Sequence, residues 1–417
     1  MHKRDGRRSR RRRAAENSSS AESGATDGVM MVSSVVLFVF AVASAVAEKK
    51  LVFVTVLFRH GDRSPVKAYP TDPYQESSWP QGFGQLSQEG MRQHFELGQY
   101  LRSRYKNFLN ESYVRHEILV RSTDYDRTLM SAEANLAGLY PPKGEQAFHP
   151  ELEWQPIPVH TVPQSEERLL SFPLGDCPRY RQLMEETAHT KEFLNVTSTY
   201  QARHNKSAPA WVTPEVMDKL RILKDFGFQV SFGFYKQQEK SRLQGGVLLG
   251  EIVKNLSRMA VPDPTRQFKM MMLSAHDTTV TALQASLNVF NGKQPPYASC
   301  HFFELYRNDD GSTSVSMFYR NDSSVEPYPL QLSNCSLDCP LEDFVSITSH
   351  FISPNRDEEC QLPSAELDRE VIISLAVASC LLFILIVILL TVVCRQSEPF
   401  RNRGYHHVRN QEAGEAS

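Results

Sequence analysis

The stretch Arg59-His60-Gly61-Asp62-Arg63-Ser64-Pro65 sets one histidine between two arginines, directly after Leu51 to Phe58, a run whose single polar residue is Thr55. Two guanidiniums offer forked donors that match the oxygens of a phosphate. Their charge also disfavours protonation of His60, leaving an imidazole nitrogen free to attack. Gly61 permits a tight turn and Pro65 stiffens its exit. These residue types suit phosphoryl transfer through a histidine, with no metal and no cofactor required.

Cleaving a phosphate monoester also needs positive donors around the transferred group and a proton for the leaving oxygen. Asp124-Tyr125-Asp126-Arg127-Thr128 and Ala275-His276-Asp277-Thr278 offer them. Arg127 and His276 would join Arg59 and Arg63 in holding phosphate; Asp277 would protonate the leaving group attacked by His60. Taken alone, His276-Asp277 reads as a helix cap, since Asp favours the first turn, and Arg127 as half of an ion pair. Arg121 is a competing phosphate ligand, but it stands inside a strand and faces away. Asp277 must carry a proton and His60 must lack one. With reference pKa values of about 3.9 and about 6.5, both conditions are best met around pH 5.

The elements must bring these segments together. Leu51 to Phe58 reads as a fully buried parallel strand. Ser87 to Leu109 has near-helical spacing behind a Ser87 cap. Glu117 to Ser122 reads as a strand and Asp126 to Leu136 as a helix; Phe268 to Ser274 and Val280 to Val289 repeat the pattern. The expected class is α/β, a parallel-type central sheet with helices on both faces. Ligands bind such sheets outside the carboxyl ends of the strands, where all the candidates lie. His301 to Arg307 and Thr313 to Arg320 flank Asn308-Asp309-Asp310-Gly311, an antiparallel hairpin at the sheet edge. Residues 48–140 and 265–345 form the expected catalytic domain. Residues 141–264, with helical stretches Pro214 to Asp225 and Leu243 to Leu256, read as a mainly helical cap insertion.

The heptapeptide resembles the histidine acid phosphatase signature R-H-G-x-R-x-P at every fixed position. The resemblance runs from residue 48 to the tail, through Glu76 to Gly82, Arg121 to Asp124 with Asp126 to Thr128, Trp154 to Pro163, Ser241 to Leu248 and Ser274 to Thr279. It implies a phosphoglycerate-mutase-like sheet and a metal-independent acid phosphatase. His60 is then the nucleophile, Asp277 the proton donor, and Arg59, Arg63, Arg127 and His276 the phosphate ligands. It also implies a homodimer and the pairs Cys177–Cys360 and Cys335–Cys339. Between Cys177 and Trp211 the chain is shorter than the family, most clearly near 190–210, and the cysteine that would partner Cys300 is missing. Two alternatives follow: a phytase-type phosphatase acting on inositol phosphates, and an inactive or misfolded membrane glycoprotein.

The rest of the chain speaks of compartment. Met1 to Arg13 holds eight Lys/Arg against one Asp, and Val32 to Ala47 is an apolar run ending in a small-x-small cleavage site. Residues 1–47 are expected to be a basic leader and signal peptide, with Met30 or Met31 as possible starts. A nuclear or nucleic-acid role for the basic run conflicts with the secretory features beside it. That segment is net +4 in a chain of formal charge −2, so the remainder is −6, which argues against a general polyanion binder. Val371 to Val393 carries no charge and is long enough to cross a bilayer. Acidic residues precede it and Arg395, Arg401, Arg403 and Arg409 follow, the orientation of a type I single-pass protein. Residues 346–370 would be a lumenal stem and 394–417 a cytosolic tail. There Tyr405 and Val408 resemble a tyrosine sorting signal read by clathrin adaptors, directing the protein to the lysosomal membrane, and Cys394 is a candidate for palmitoylation. Sequons at Asn110, Asn195, Asn205, Asn255, Asn321 and Asn334 fit a glycosylated lumenal body.

Overall fold

Lys50–Arg59 (β1) organises the sheet: Phe53, Val54, Val56, Leu57 and Phe58 have no exposed surface, as expected of a strand covered on both faces. The computed structural model describes residues 49–69, 72–188, 213–362 and 366–397. Within them β1 is followed by α1 (Gln88–Arg104), β2 (Ile118–Ser122), α2 (Asp126–Leu139), α3 (Pro178–Ala188), α4 (Pro214–Phe228) and α5 (Gln237–Ala260). Then come β3 (Met270–Ala275), α6 (Asp277–Ser286), β4 (Cys300–Arg307), β5 (Thr313–Arg320), β6 (Tyr328–Leu330) and β7 (Asp338–Pro340). Three helices close the described chain: α7 (Leu341–Ser349), α8 (Arg356–Glu359) and α9 (Glu366–Ser397).

The strand order is β2-β3-β1-β4-β5-β6, with β7 also paired to β5. β2, β3 and β1 run parallel, whereas β4 to β7 pair antiparallel. The sheet is thus mixed: the expected parallel strands, extended by the expected hairpin. The loop 287–299 returns the chain to the carboxyl edge of β1, so β4 starts with Cys300 opposite Phe58. Register aligns the parallel ends, Arg59 with Ala275 and Ser122 with Ser274. His60, Thr123 and His276 therefore leave the sheet side by side.

On one face Leu97, Leu101, Leu136 and Leu139 of α1 and α2 pack on Val54, Val56, Phe58 and Met272. On the other, Leu248, Leu249, Ile252, Leu256, Leu283 and Phe344 of α5, α6 and α7 cover Phe53, Leu57, Leu273 and Phe303. Each such side chain contributes roughly 1.5–3 kcal/mol, so tertiary packing decides where these helices lie. It also corrects two sequence boundaries. Helix α5, expected in the cap, is a core layer on the sheet. Much of the expected stem is folded onto the body: α8 is tied to α5 by Arg242–Glu359 at 2.7 Å and by Arg356 Nε donating to the Leu243 carbonyl at 2.7 Å.

Disulfides join Cys177 to Cys360 and Cys335 to Cys339, and Cys300 is a buried free thiol. Helix α9 contains an apolar span, Ile372–Arg395, of mean hydropathy 3.2. Its 24 residues would extend roughly 36 Å, enough to cross a bilayer core.

Candidate active site

The heptapeptide is held by backbone and packing before any of its side chains act. The His60 N–H donates to the Ala275 carbonyl at 3.0 Å and the Arg59 N–H to that of Ser299 at 3.0 Å. Gly61 N–H reaches Ser131 Oγ at 3.1 Å, and Asp62 N–H reaches Gln93 Oε1 at 2.9 Å. The loop lies directly on the start of α1. A Cβ at position 61 would stand 2.4 Å from the Gly90 carbonyl oxygen, and one at position 90 would stand 2.2 Å from that of Asp62. Both positions must therefore be glycine. Ser87 caps α1, accepting from Gly90 N–H at 3.1 Å, and donates to Asp62 Oδ2 at 2.7 Å. Beneath the loop the buried His94 donates from Nε2 to the Arg59 carbonyl at 3.0 Å, and burial lowers its pKa to about 4.

His60 is 2% exposed. Its Nδ1 lies 2.8 Å from the Gly61 carbonyl oxygen. A carbonyl only accepts, so Nδ1 carries the proton and Nε2 presents its lone pair. Burial, then the Arg59 charge, hold the ring's pKa well below its ordinary value, with His276 and Arg127 adding to the effect and the Gly61 carbonyl opposing it. A neutral, oriented imidazole at acidic pH is the state a nucleophile requires.

Three guanidiniums surround it. Arg59 donates from Nη1 to the Pro295 carbonyl at 2.6 Å and pairs through Nη2 with Asp277 Oδ2 at 2.8 Å. Tyr297 lies under its plane at 4.0 Å. Arg63 donates to the Ser64 carbonyl at 2.8 Å, and Arg127 stacks over Tyr125 at 4.6 Å. The buried Nε atoms of all three have no hydrogen-bond partner among the described residues. Burial lowers the pKa of Arg127, and Arg63 and Arg59 press in the same direction against the opposing pull of Tyr125 and Asp277. Three cations thus face one carboxylate with donors to spare, an arrangement that an anion completes.

Helix α6 begins at Asp277, three residues before the helical start expected at Val280, because His276 occupies the N-cap. His276 Nε2 lies 3.0 Å from Thr123 Oγ1 and its ring meets His60 edge-on at 5.6 Å. A hydroxyl can donate or accept, so Thr123 fixes the ring's position without fixing its tautomer. Burial, with Arg127 and the other two arginines, takes His276 down to about 3 against the pull of Asp277. Asp277 collects four interactions: Arg59, Gln294 Nε2 at 2.5 Å on Oδ2, the Thr278 N–H at 2.8 Å on Oδ1, and the nearby His276. Burial alone would push its carboxyl up, but these groups outweigh burial and hold it below the usual carboxylate range.

The geometry therefore brings together Arg59, His60, Arg63, Arg127, His276 and Asp277. Arg121 is directed elsewhere, pairing with Glu167 at 3.0 Å. Sequence reading missed His94, Thr123, Gln294 and Tyr297. Only Thr123 lay in a segment that pointed to the site, and the others become neighbours through long-range packing. Among the sequons, Asn110 and Asn334 are exposed and Asn321 is half-buried. Asn255 corrects the expectation: it is 3% exposed within α5, and its Nδ2 donates to the Glu251 carbonyl at 2.9 Å, leaving no room for a glycan. Asn195, Asn205, Tyr405 and Val408 lie outside the described residues.

A sequence profile of the histidine phosphatase superfamily (branch 2) matches residues 50–208 and 177–320. Lysosomal acid phosphatase of Rattus norvegicus is 54% identical over 396 residues, 87% of this chain and 92% of the relative. Lysosomal acid phosphatase of Homo sapiens is 53% identical over 392 residues, covering 86% and 91%. Prostatic acid phosphatase of Homo sapiens is 46% identical over 365 residues, covering 80% and 94%. Among solved structures, Hafnia alvei phytase in complex with tartrate shares the fold at TM-score 0.56 and 18% identity, over 76% of this chain and 99% of the phytase.

Proposed function

The chain belongs to branch 2 of the histidine phosphatase superfamily; it is an acid phosphatase, and we propose that it hydrolyses small phosphate monoesters in two steps through His60. In the first step the phosphate sits among the forked donors of Arg59, Arg63 and Arg127, with His276 at its edge. His60 Nε2 attacks phosphorus, the bond to the ester oxygen breaks, and Asp277 passes its proton to that oxygen. In the second step water attacks the phosphohistidine, gives a proton back to the Asp277 carboxylate, and inorganic phosphate leaves. The observation that carries this reading is the surplus of unfilled guanidinium donors around a neutral, oriented His60. Those donors stabilise the charge spread over the transferred group, which is most of what phosphoryl transfer asks of a protein.

Asp277 reaches its proton-donating state through the substrate. Its partner Arg59 turns part of its charge toward the phosphate oxygens, and the anion beside the carboxyl raises that carboxyl's pKa. A phosphate monoester has a second pKa of about 6, so below it the substrate arrives carrying the proton that Asp277 needs. Acidic pH suits both requirements, while His60 stays neutral because its own pKa is depressed.

Assay of p-nitrophenyl phosphate hydrolysis at acidic pH, with phosphate as competitor, tests the reading. Arg127→Ala removes a charged donor worth about 1.5–3 kcal/mol, so KM and the inhibition constant for phosphate are expected to rise about 10- to 100-fold. Unchanged phosphate affinity would remove Arg127 from the site. The inositol-phosphate alternative rests on fold likeness alone, at 18% identity.

The body is proposed to be lumenal and homodimeric, anchored in the lysosomal membrane by the α9 span, with the Tyr405-to-Val408 signal read by clathrin adaptors. The relatives' compartment and the apolar span support the anchor and address. Exposed Leu119 on edge strand β2, with exposed Leu152 and Trp154 before the segment that bridges it, supports a subunit contact. Tyr405→Ala is expected to leave the protein at the cell surface, and light scattering of the purified protein is expected to give two chains per particle. A monomer, or unaltered sorting, would reject the corresponding part.

A further inference from the structure

The loop 291–297 is tied at one end to the helices before it and at the other to the catalytic groups. Gln229, in the wide helical turn that follows α4, donates from Nε2 to the Gly292 carbonyl at 2.8 Å. Asp225 of α4 accepts the Gln294 backbone N–H on Oδ1 at 2.8 Å. Two residues of this anchored loop then hold Arg59: the Pro295 carbonyl takes its Nη1 and Tyr297 stacks on its plane. Gln294 itself points its amide at Asp277 Oδ2, the oxygen that also receives Arg59 Nη2.

A primary amide is suited to a carboxyl that must alternate between two protonation states. Its Nε2 donates to the carboxylate; rotated by half a turn, its Oε1 accepts from the protonated acid. Arg59 can serve only the anion, because a guanidinium has no acceptor. The charged or titratable groups that act on Asp277 are Arg59 at the end of β1, Arg127 on α2 and His276 at the start of α6. The guanidiniums have no acceptor, and of the two side chains bonded to Asp277 Oδ2, Arg59 and Gln294, it is the amide that can also accept from the protonated acid. We propose that Gln294 is a positioning residue for the hydrolysis: held by α4 through Asp225, its amide sets the protonation of Asp277 and stays bonded to it in both states. This rests on Asp277 being the proton donor.

The test is the pH dependence of kcat, measured with an alkyl phosphate, whose leaving group needs a proton, and with p-nitrophenyl phosphate, whose leaving group needs one less. Gln294→Leu removes a donor to the carboxylate, so the Asp277 pKa rises and the alkaline limb of kcat moves up by about one pH unit. Gln294→Glu keeps the length and loop spacing but places a like charge on the carboxylate, and it is expected to move the limb further in the same direction. The substrate's own titration is common to all variants and cancels in the comparison. KM is expected to stay within about threefold of wild type. A Glu variant whose limb coincides with wild type would show that residue 294 only spaces the loop, overturning the proposal. Asp277→Asn serves as the control. If it slows alkyl and aryl phosphates equally with no burst of p-nitrophenol, the underlying role of Asp277 has failed; if the burst appears or alkyl esters slow selectively while the Gln294 variants keep the wild-type limb, the inference about Gln294 alone has failed.

Discussion

Replacing His60 with Ala is expected to lower kcat by roughly 10⁴-fold or more while leaving the affinity for inorganic phosphate within a few-fold of wild type. The two effects separate because different atoms carry them. In the proposed mechanism phosphate is held by Arg59, Arg63 and Arg127, whose positions depend on backbone contacts of the loop, on Pro295 and Tyr297, and on Tyr125. None of those supports passes through the imidazole. The attack does, since Nε2 is the oriented lone pair left once Nδ1 bonds to the Gly61 carbonyl. Steady-state kinetics with phosphate as competitive inhibitor measures both quantities on one preparation. A variant that loses phosphate binding along with turnover would mean that His60 is a scaffold for the arginines.

Asp277→Asn should act according to the leaving group. General acid catalysis contributes about 10²- to 10⁴-fold, so alkyl phosphates are expected to slow by that amount and p-nitrophenyl phosphate much less in its first step. Because the same carboxylate takes the proton from water in the second step, the phosphoenzyme should build up, giving a burst of p-nitrophenol. A second consequence runs against intuition. The substitution releases Arg59 from its 2.8 Å pair with Asp277, so phosphate should bind more tightly to the variant. The unliganded protein loses stability, because a buried guanidinium has been left without its counter-charge, and added phosphate restores it. Thermal melts with and without phosphate, alongside the burst assay, check all of this. Equal slowing of alkyl and aryl substrates with no burst would assign the proton to another group.

The parts of the site that could be read from sequence are those carried by contiguous strand-turn units. β1 announces itself because a strand buried on both faces is apolar along nearly all its length, here with Thr55 as the exception between Leu51 and Phe58, and the heptapeptide follows without a gap. β2 and β3 end in the same way, so Arg127, His276 and Asp277 could be placed at one sheet edge. The loop 291–297 had no such signature. Gln294 and Tyr297 reach the site only because β4 pairs with β1, setting Cys300 opposite Phe58. His94 was hidden for a different reason: a histidine in an amphipathic helix usually faces water, and only the packing of α1 under the loop turns it inward. Asn255 shows the converse, a legible motif overruled by helix burial. Sequence could propose Asp277 as the acid, but Arg59 on β1 and Gln294 in the 291–297 loop, which lower its pKa together with the neighbouring Thr278 N–H and His276, are brought to it by the fold.

The most direct measurement is the identity of the phosphorylated residue. Asp277→Asn protein mixed with p-nitrophenyl phosphate, quenched in alkali to preserve phosphohistidine and mapped by mass spectrometry, is predicted to carry one phosphate on His60. The same treatment of the doubly substituted protein, His60→Ala with Asp277→Asn, is predicted to yield none. Phosphate on any other residue, or its persistence after His60 is removed, would contradict the account.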